Sequence, residues 1–219
     1  MVLGKDVTAS ALADWRTAPI SDKLRAAIAT IEKLTLEPAE LTARDATLLN
    51  STGVSHQGVI DLVYVCAGFN IITRIVDAFG SSVPSDQVFS KTARILLVLG
   101  YKTLSGFYPA DFAARLKRQA INGNRYAADL ERLVTAVVRG PGHLSLTLRE
   151  AIYADEDLPD PLRSYVIKVT QRAYDTTDED INVLKRGGYS EDQIFEATIT
   201  AALGAGLRRL HIGLKVLAA

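Results

Sequence analysis

The chain contains one stretch twice. Residues 42–79, TARDATLLNSTGVSHQGVIDLVYVCAGFNIITRIVDAF, align without a gap with residues 177–214, TDEDINVLKRGGYSEDQIFEATITAALGAGLRRLHIGL, at an offset of 135 positions (42 to 177). Thr42/Thr177, Asp45/Asp180, Leu49/Leu184, Gly53/Gly188, Ser55/Ser190, Ala67/Ala202 and Arg74/Arg209 are identical, and Val59-Ile60-Asp61 faces Ile194-Phe195-Glu196. With a three-residue shift, Leu24-Arg25 also matches Leu162-Arg163. Any two helical hairpins share caps and apolar spacing, but this match also carries its charges. A fold that uses one unit twice has few solutions. The simplest packs two copies about a pseudo-twofold axis, long helix against long helix.

Each copy reads as an antiparallel pair of a short and a long helix. Thr42-x-x-Asp45 and Thr177-x-x-Asp180 are capping boxes, in which hydroxyl and carboxylate each satisfy an orphan amide. The short helices stop at Gly53 and Gly188, where a left-handed residue costs glycine little. Ser55 and Ser190 then start the long helices, and Ser190-x-x-Gln193 completes a further box. Apolar residues recur at steps of three and four along most of the chain, with no period-two run, so the fold class is all-α. Helices are expected at 21–35, 43–52, 56–79, 85–99, 110–121, 125–139, 144–153, 161–174, 178–187 and 191–217. The small residues Ala201, Ala202, Gly204, Ala205 and Gly206 permit close approach and mark 191–217 as the contact between the copies.

Composition narrows the chemistry. A chain of 219 residues suits a single domain. The expected plan is repeat 1 over about 20–80, connecting helices over about 84–154 and repeat 2 over about 160–217. Its 25 basic and 25 acidic residues cancel, which removes the electrostatic reason to expect nucleic acid or an anionic membrane. One cysteine excludes an intramolecular disulfide and a cysteine-based zinc cluster. Three histidines without HxxxH or HxH spacing give no metal site, and no phosphate-binding glycine loop is present. The first 20 residues lack an apolar signal core, and the uncharged run Leu62–Thr73 is shorter than the roughly 20 residues a bilayer needs. A cytoplasmic protein without cofactor is expected.

At this point the residues resemble the alkylhydroperoxidase D-like / carboxymuconolactone decarboxylase superfamily. The phrase carrying the resemblance is a short helix, Gly-Val-Ser or Gly-Tyr-Ser, Ile followed by Asp or Glu, and an Ala-rich long helix. It occurs as GVSHQGVIDLVYVCAGFNIITRIVDAFG and as GYSEDQIFEATITAALGAGLRRLHIGL. The first copy, with Cys66-Ala-Gly-Phe-Asn70 leading to Arg74-x-x-Asp77, looks like the cysteine-free half of the peroxidase-related branch. The resemblance implies the helical fold of that superfamily, with two internal repeats and a homo-oligomeric assembly. Peroxide-reducing members carry Glu…Cys-x-x-Cys-x-x-x-His ahead of the glycine. Here the His position falls on Asp45 and Asp180, and the Cys positions fall near Pro38 and Leu41 or near Ala173 and Thr176. No thiolate stands there, so dithiol peroxidase activity is not expected.

The candidate chemistry lies on the long helices. Cys66, Asn70, Arg74 and Asp77 follow steps of four, four and three, one stripe of a helix. Buried among apolar neighbours, Cys66 would be an inert packing thiol. Asn70, Arg74 and Arg209 are the candidate substrate-binding residues, since a guanidinium fork suits a carboxylate; the plain alternative is a surface Arg74–Asp77 pair. Arg208, Arg209, His211 and Lys215 also complement the negative end of their helix. Asp61, Glu196 and His211 are the candidate acid–base residues, the two carboxylates otherwise serving the helix dipole. Two function classes follow. One is a cofactor-free, lyase-like enzyme moving protons on a small organic acid. The other is a non-catalytic relative used for binding or assembly, beside a dithiol-bearing homologue. The first requires ionisable groups converging in a pocket; the second leaves Asp61, Glu196 and Arg209 solvated or in structural pairs.

Overall fold

A computed structural model of the chain describes residues 4–81, 85, 88 and 126–218, and all regular structure among them is helical. The elements are α1 (Lys5–Asp14), α2 (Asp22–Leu36), α3 (Ala43–Ser51), α4 (His56–Ala78), α5 (Ala127–Val134), α6 (Leu146–Ala154), α7 (Leu162–Arg172), α8 (Asp178–Arg186) and α9 (Glu191–Leu217). Single 3₁₀ turns join α2 to α3 (Pro38–Glu40) and α7 to α8 (Ala173–Asp175), and α5 ends in one π turn, Thr135–Arg139. The all-α expectation holds. The expected helices 85–99 and 110–121 lie outside the described residues. α1 was not expected, and it buries no residue, so no apolar stripe announces it.

Local chemistry sets the boundaries. Ser21, Ser55, Ser145 and Ser190 each accept a hydrogen bond from the backbone N–H three residues on, capping α2, α4, α6 and α9. Thr42 and Thr177 head the boxes of α3 and α8: Asp45 accepts from the Thr42 N–H and Asp180 from the Thr177 N–H, each at 2.8 Å. Gly53 (φ +83°) and Gly188 (φ +90°) adopt the left-handed conformation that turns the chain from short helix to long. The two boxes also share an ion pair. Lys33 reaches Asp45 at 2.9 Å, and Lys168 reaches Asp180 at 2.6 Å. Burial works to raise both carboxylates. The lysine ammonium, the threonine N–H and the threonine hydroxyl together outweigh it and hold each below the usual carboxylate range.

The core is the antiparallel crossing of α4 and α9. A Cβ placed on Gly206 would run into Ile71 Cγ1 and lie 3.0 Å from the Ala67 carbonyl, and one on Gly213 would lie 2.7 Å from Val63 Cγ1. Advancing along α9 therefore means retreating along α4. Side chains fill both sides of the crossing. Leu34, Leu49, Val63, Leu203 and Leu210 form one cluster, and Ile152, Leu162, Val169, Leu184 and Ala197 form the other. α6 covers the outer face of α9, where a Cβ on Gly204 would meet the Tyr153 carbonyl at 2.8 Å. α4 is asymmetric by comparison. It buries Val59, Val63, Cys66, Ala67, Asn70, Arg74 and Ala78 and exposes Val65, Phe69, Ile72 and Val76. With Asp61 included the helix reaches 23 residues, long and apolar enough to cross a membrane by length and composition alone, which core helices of soluble proteins also satisfy.

Two measurements follow. Gly206→Ala should cost on the order of 2 kcal/mol in chemical unfolding, because the added methyl meets backbone as well as Ile71. Gly68→Ala, with open space around its position, should instead stabilise by roughly 0.5–1 kcal/mol. Asp45→Asn and Asp180→Asn should lower Tm at neutral pH. Because the folded-state pKa of each aspartate is depressed, its contribution is complete above the unfolded value of about 3.9 and disappears as pH falls through the folded value. The deficit of each variant should therefore shrink to nothing in a Tm series taken to acid.

Candidate functional site

The polar stripe of α4 points inward and meets a counterpart on α9. Asn70 is 4% exposed and Arg74 9% exposed, so the alternative of a surface Arg74–Asp77 pair is excluded. Arg74 donates from Nε to the Thr170 carbonyl at 3.0 Å and from Nη1 to the Asn70 carbonyl and Asn70 Oδ1 at 2.9 and 2.8 Å. Arg209 donates from Nε to the Thr35 carbonyl at 3.0 Å and from Nη1 to the Ala205 carbonyl at 3.0 Å. The bonds are reciprocal. Each arginine also bonds the carbonyl four residues back on its own helix. Thr170 lies in the last turn of α7 and Thr35 in the last turn of α2, where carbonyls lack intrahelical partners and the helix dipole is negative. Each arginine thus caps the leading helix of the opposite half.

The electrostatics remain open. Among the described residues neither guanidinium has a carboxylate within ion-pair distance, and neither Nη2 group donates to a protein acceptor. Burial first, then the Arg209 and Arg208 cations, push Arg74 down to about 10, with Asp77 and Cys66 pulling the other way. Burial and Arg208 push Arg209 down as well. Both arginines line one cavity of about 440 Å³, together with Thr35, Leu36, Thr73, Asp77, Gln171, Ala173 and Tyr174. Buried or half-buried cations held by neutral carbonyls, with no carboxylate at ion-pair distance among the described residues, are able to take an anion, since taking charge out of water without a counter-charge is costly. Among the described residues no cluster of histidine, cysteine and carboxylate side chains could hold a metal ion.

Cys66 sits behind this pair. It is 2% exposed; its Sγ lies 3.5 Å from Thr35 Oγ1 and 3.4 Å from Asn70 Nδ2. Burial pushes the thiol up and outweighs the pull of Thr35, Arg209, Asn70 and Arg74. This is a packing thiol that supports the site from below.

The three acid–base candidates are placed elsewhere and are not brought together. Asp61 accepts from Gln57 Nε2 at 3.0 Å and from the Tyr126 hydroxyl at 3.2 Å. Glu196 accepts from the His143 and Leu144 amides, both at 2.8 Å, and so fixes the Gly140-Pro141-Gly142 loop ahead of α6. Because Val63 lies against Gly213, Asp61 is on the order of 25 Å along the α9 axis from Glu196, at about 1.5 Å per residue. His211 is exposed. The antiparallel crossing corrects the expected convergence of Asp61 with Glu196, and His211 is left on the exposed face of α9. Residues that sequence reasoning missed are Thr35, Thr170, Lys33 and Lys168. The signal was available: the gapless offset of 135 extends upstream, setting Lys33-Leu34-Thr35 on Lys168-Val169-Thr170. The three-residue shift drawn from Leu24-Arg25 obscured it.

Native protein treated with iodoacetamide at mildly alkaline pH should leave Cys66 unmodified, with full alkylation only after denaturation. Rapid native labelling, read by intact mass, would contradict the burial of this side chain.

The chain matches no family model, no curated protein and no solved structure, so the geometry of its own residues carries the functional reading.

Proposed function

We propose that the chain is an alkylhydroperoxidase D-like protein of two repeated helical units that has lost the dithiol and binds a small organic acid between Arg74 and Arg209. The observation that carries the reading is the reciprocal anchoring of the two arginines beside one cavity, with no carboxylate among the described residues paired to either. A carboxylate there would accept from the two free Nη2 groups, in the charge-assisted geometry that makes such bonds strong.

The repeat is supported by coincidences beyond caps. The 3₁₀ turns, the short helices and the starts of the long helices all fall 135 positions apart (38 to 173, 43 to 178, 56 to 191). So do both partners of the Lys33–Asp45 and Lys168–Asp180 ion pairs and both partners of the arginine–carbonyl bonds. Independent hairpins have no reason to share such long-range partners. Ala173, near which the resemblance places a cysteine, lines the same cavity. Binding, rather than proton transfer by Asp61, Glu196 or His211, is the function this arrangement supports. The hydrogen bonds of both carboxylates are structural.

Thermal unfolding in acetate, succinate and benzoate, each against chloride of equal ionic strength, tests the reading. A ligand at a hundred times its Kd should add about 2.7 kcal/mol of stability. Arg209→Lys keeps the charge but loses the fork, and it should weaken binding by roughly tenfold or more while the protein stays folded. No stabilisation beyond the chloride control would refute the proposal. Peroxide turnover with a dithiol donor should be absent, and turnover that survives Cys66→Ser would refute the account of the lost cysteines.

A further inference from the structure

The cavity lined by the two arginines also carries a third charge, of the opposite sign. Asp77 stands three residues after Arg74, the spacing at which Arg132 pairs with Asp129 and Arg172 with Asp175 in this same chain. Arg74 instead turns inward to Thr170 and Asn70. Asp77 is left exposed, with its carboxylate in no hydrogen bond or ion pair among the described residues, on the wall of the same cavity. The lining therefore carries two cations and one anion within about 440 Å³. Thr35, Thr73 and Gln171 add neutral polar groups. Leu36 and Tyr174, each 71% exposed, form an apolar rim.

We propose that this cavity takes a zwitterionic α-amino acid with an apolar side chain, its carboxylate on the Nη2 groups of Arg74 and Arg209, its ammonium on Asp77 and its side chain against Leu36 and Tyr174. The inference rests on the organic-acid reading above and narrows it. A dicarboxylate would satisfy both arginines but set its second charge near Asp77, where like charges repel. A simple monocarboxylate would leave Asp77 without a partner. A zwitterion answers all three groups at once, and the cavity volume is within the range of small-molecule sites.

The experiment compares matched ligands by calorimetry on the full chain: L-phenylalanine with hydrocinnamate, and L-leucine with isocaproate, each pair differing only in the amino group. The amino acid of at least one pair should bind roughly tenfold or more tighter than its deaminated partner. Asp77→Asn should erase that preference, the amino acid losing affinity while the deaminated acid loses none, since only a neighbouring like charge has been removed from it. Asp77 is an exposed side chain, so the variant should fold. Equal affinities within both pairs, or a preference that survives Asp77→Asn, overturn the inference. If the deaminated acids bind in an Arg209-dependent way and the amino group adds nothing, only the zwitterion falls. If none of the four ligands binds, the organic-acid reading falls with it.

Discussion

Two guanidinium groups exchanged across a helix crossing organise this protein. Arg74 on α4 closes the last turn of α7, and Arg209 on α9 closes the last turn of α2. Each arginine belongs to one half of the molecule and satisfies an orphan carbonyl of the other. The anchors sit beside the point where Gly206 lets Ile71 and the Ala67 carbonyl approach α9. Close approach and exchange depend on one another. A bulkier residue at the crossing would separate the helices and draw the arginines away from their carbonyls, and without the arginines the Thr170 and Thr35 carbonyls would lose these partners.

The same geometry decides which residues can share a site. Where two antiparallel helices cross, matched positions meet only near the crossing. Arg74 and Arg209 are close enough to line one cavity. Asp61 and Glu196, near the helix starts, are carried to opposite ends. Glu196 spends both carboxylate oxygens on the His143 and Leu144 amides, and Asp61 is bonded to Gln57 and Tyr126. What stands at the centre is a pair of fixed cations lining one cavity, with Asp61 and Glu196 away from it.

Much of this was legible in the sequence, and the legible part was local. Ser55, Ser190, Thr42 and Thr177 mark their helices because a cap is decided within four residues. Gly53 and Gly188 mark the turns because their left-handed backbone is a local demand. The small residues around Gly206 announced a close approach, and Arg74, Arg209 and Asn70 stood out as polar groups on an apolar helix. What stayed hidden depended on partners far along the chain. Nothing near Glu196 says that it holds a loop some 50 residues earlier, and nothing near Arg74 names a carbonyl on α7. The exception is instructive. Lys33-Leu34-Thr35 and Lys168-Val169-Thr170 were visible as a continuation of the same offset, and following it upstream reveals both the ion pairs and the arginine acceptors.

Arg74 and Arg209 line one cavity beside the helix crossing. The most direct measurement is a ¹⁵N spectrum of the arginine side chains, followed while a small carboxylate is titrated into the native protein. The Arg74 and Arg209 resonances should move together along one binding curve, while Arg149, held by the Val137, Gly140 and Leu144 carbonyls, stays in place. Movement of only one of the two, or of neither, would contradict a shared site at the helix crossing.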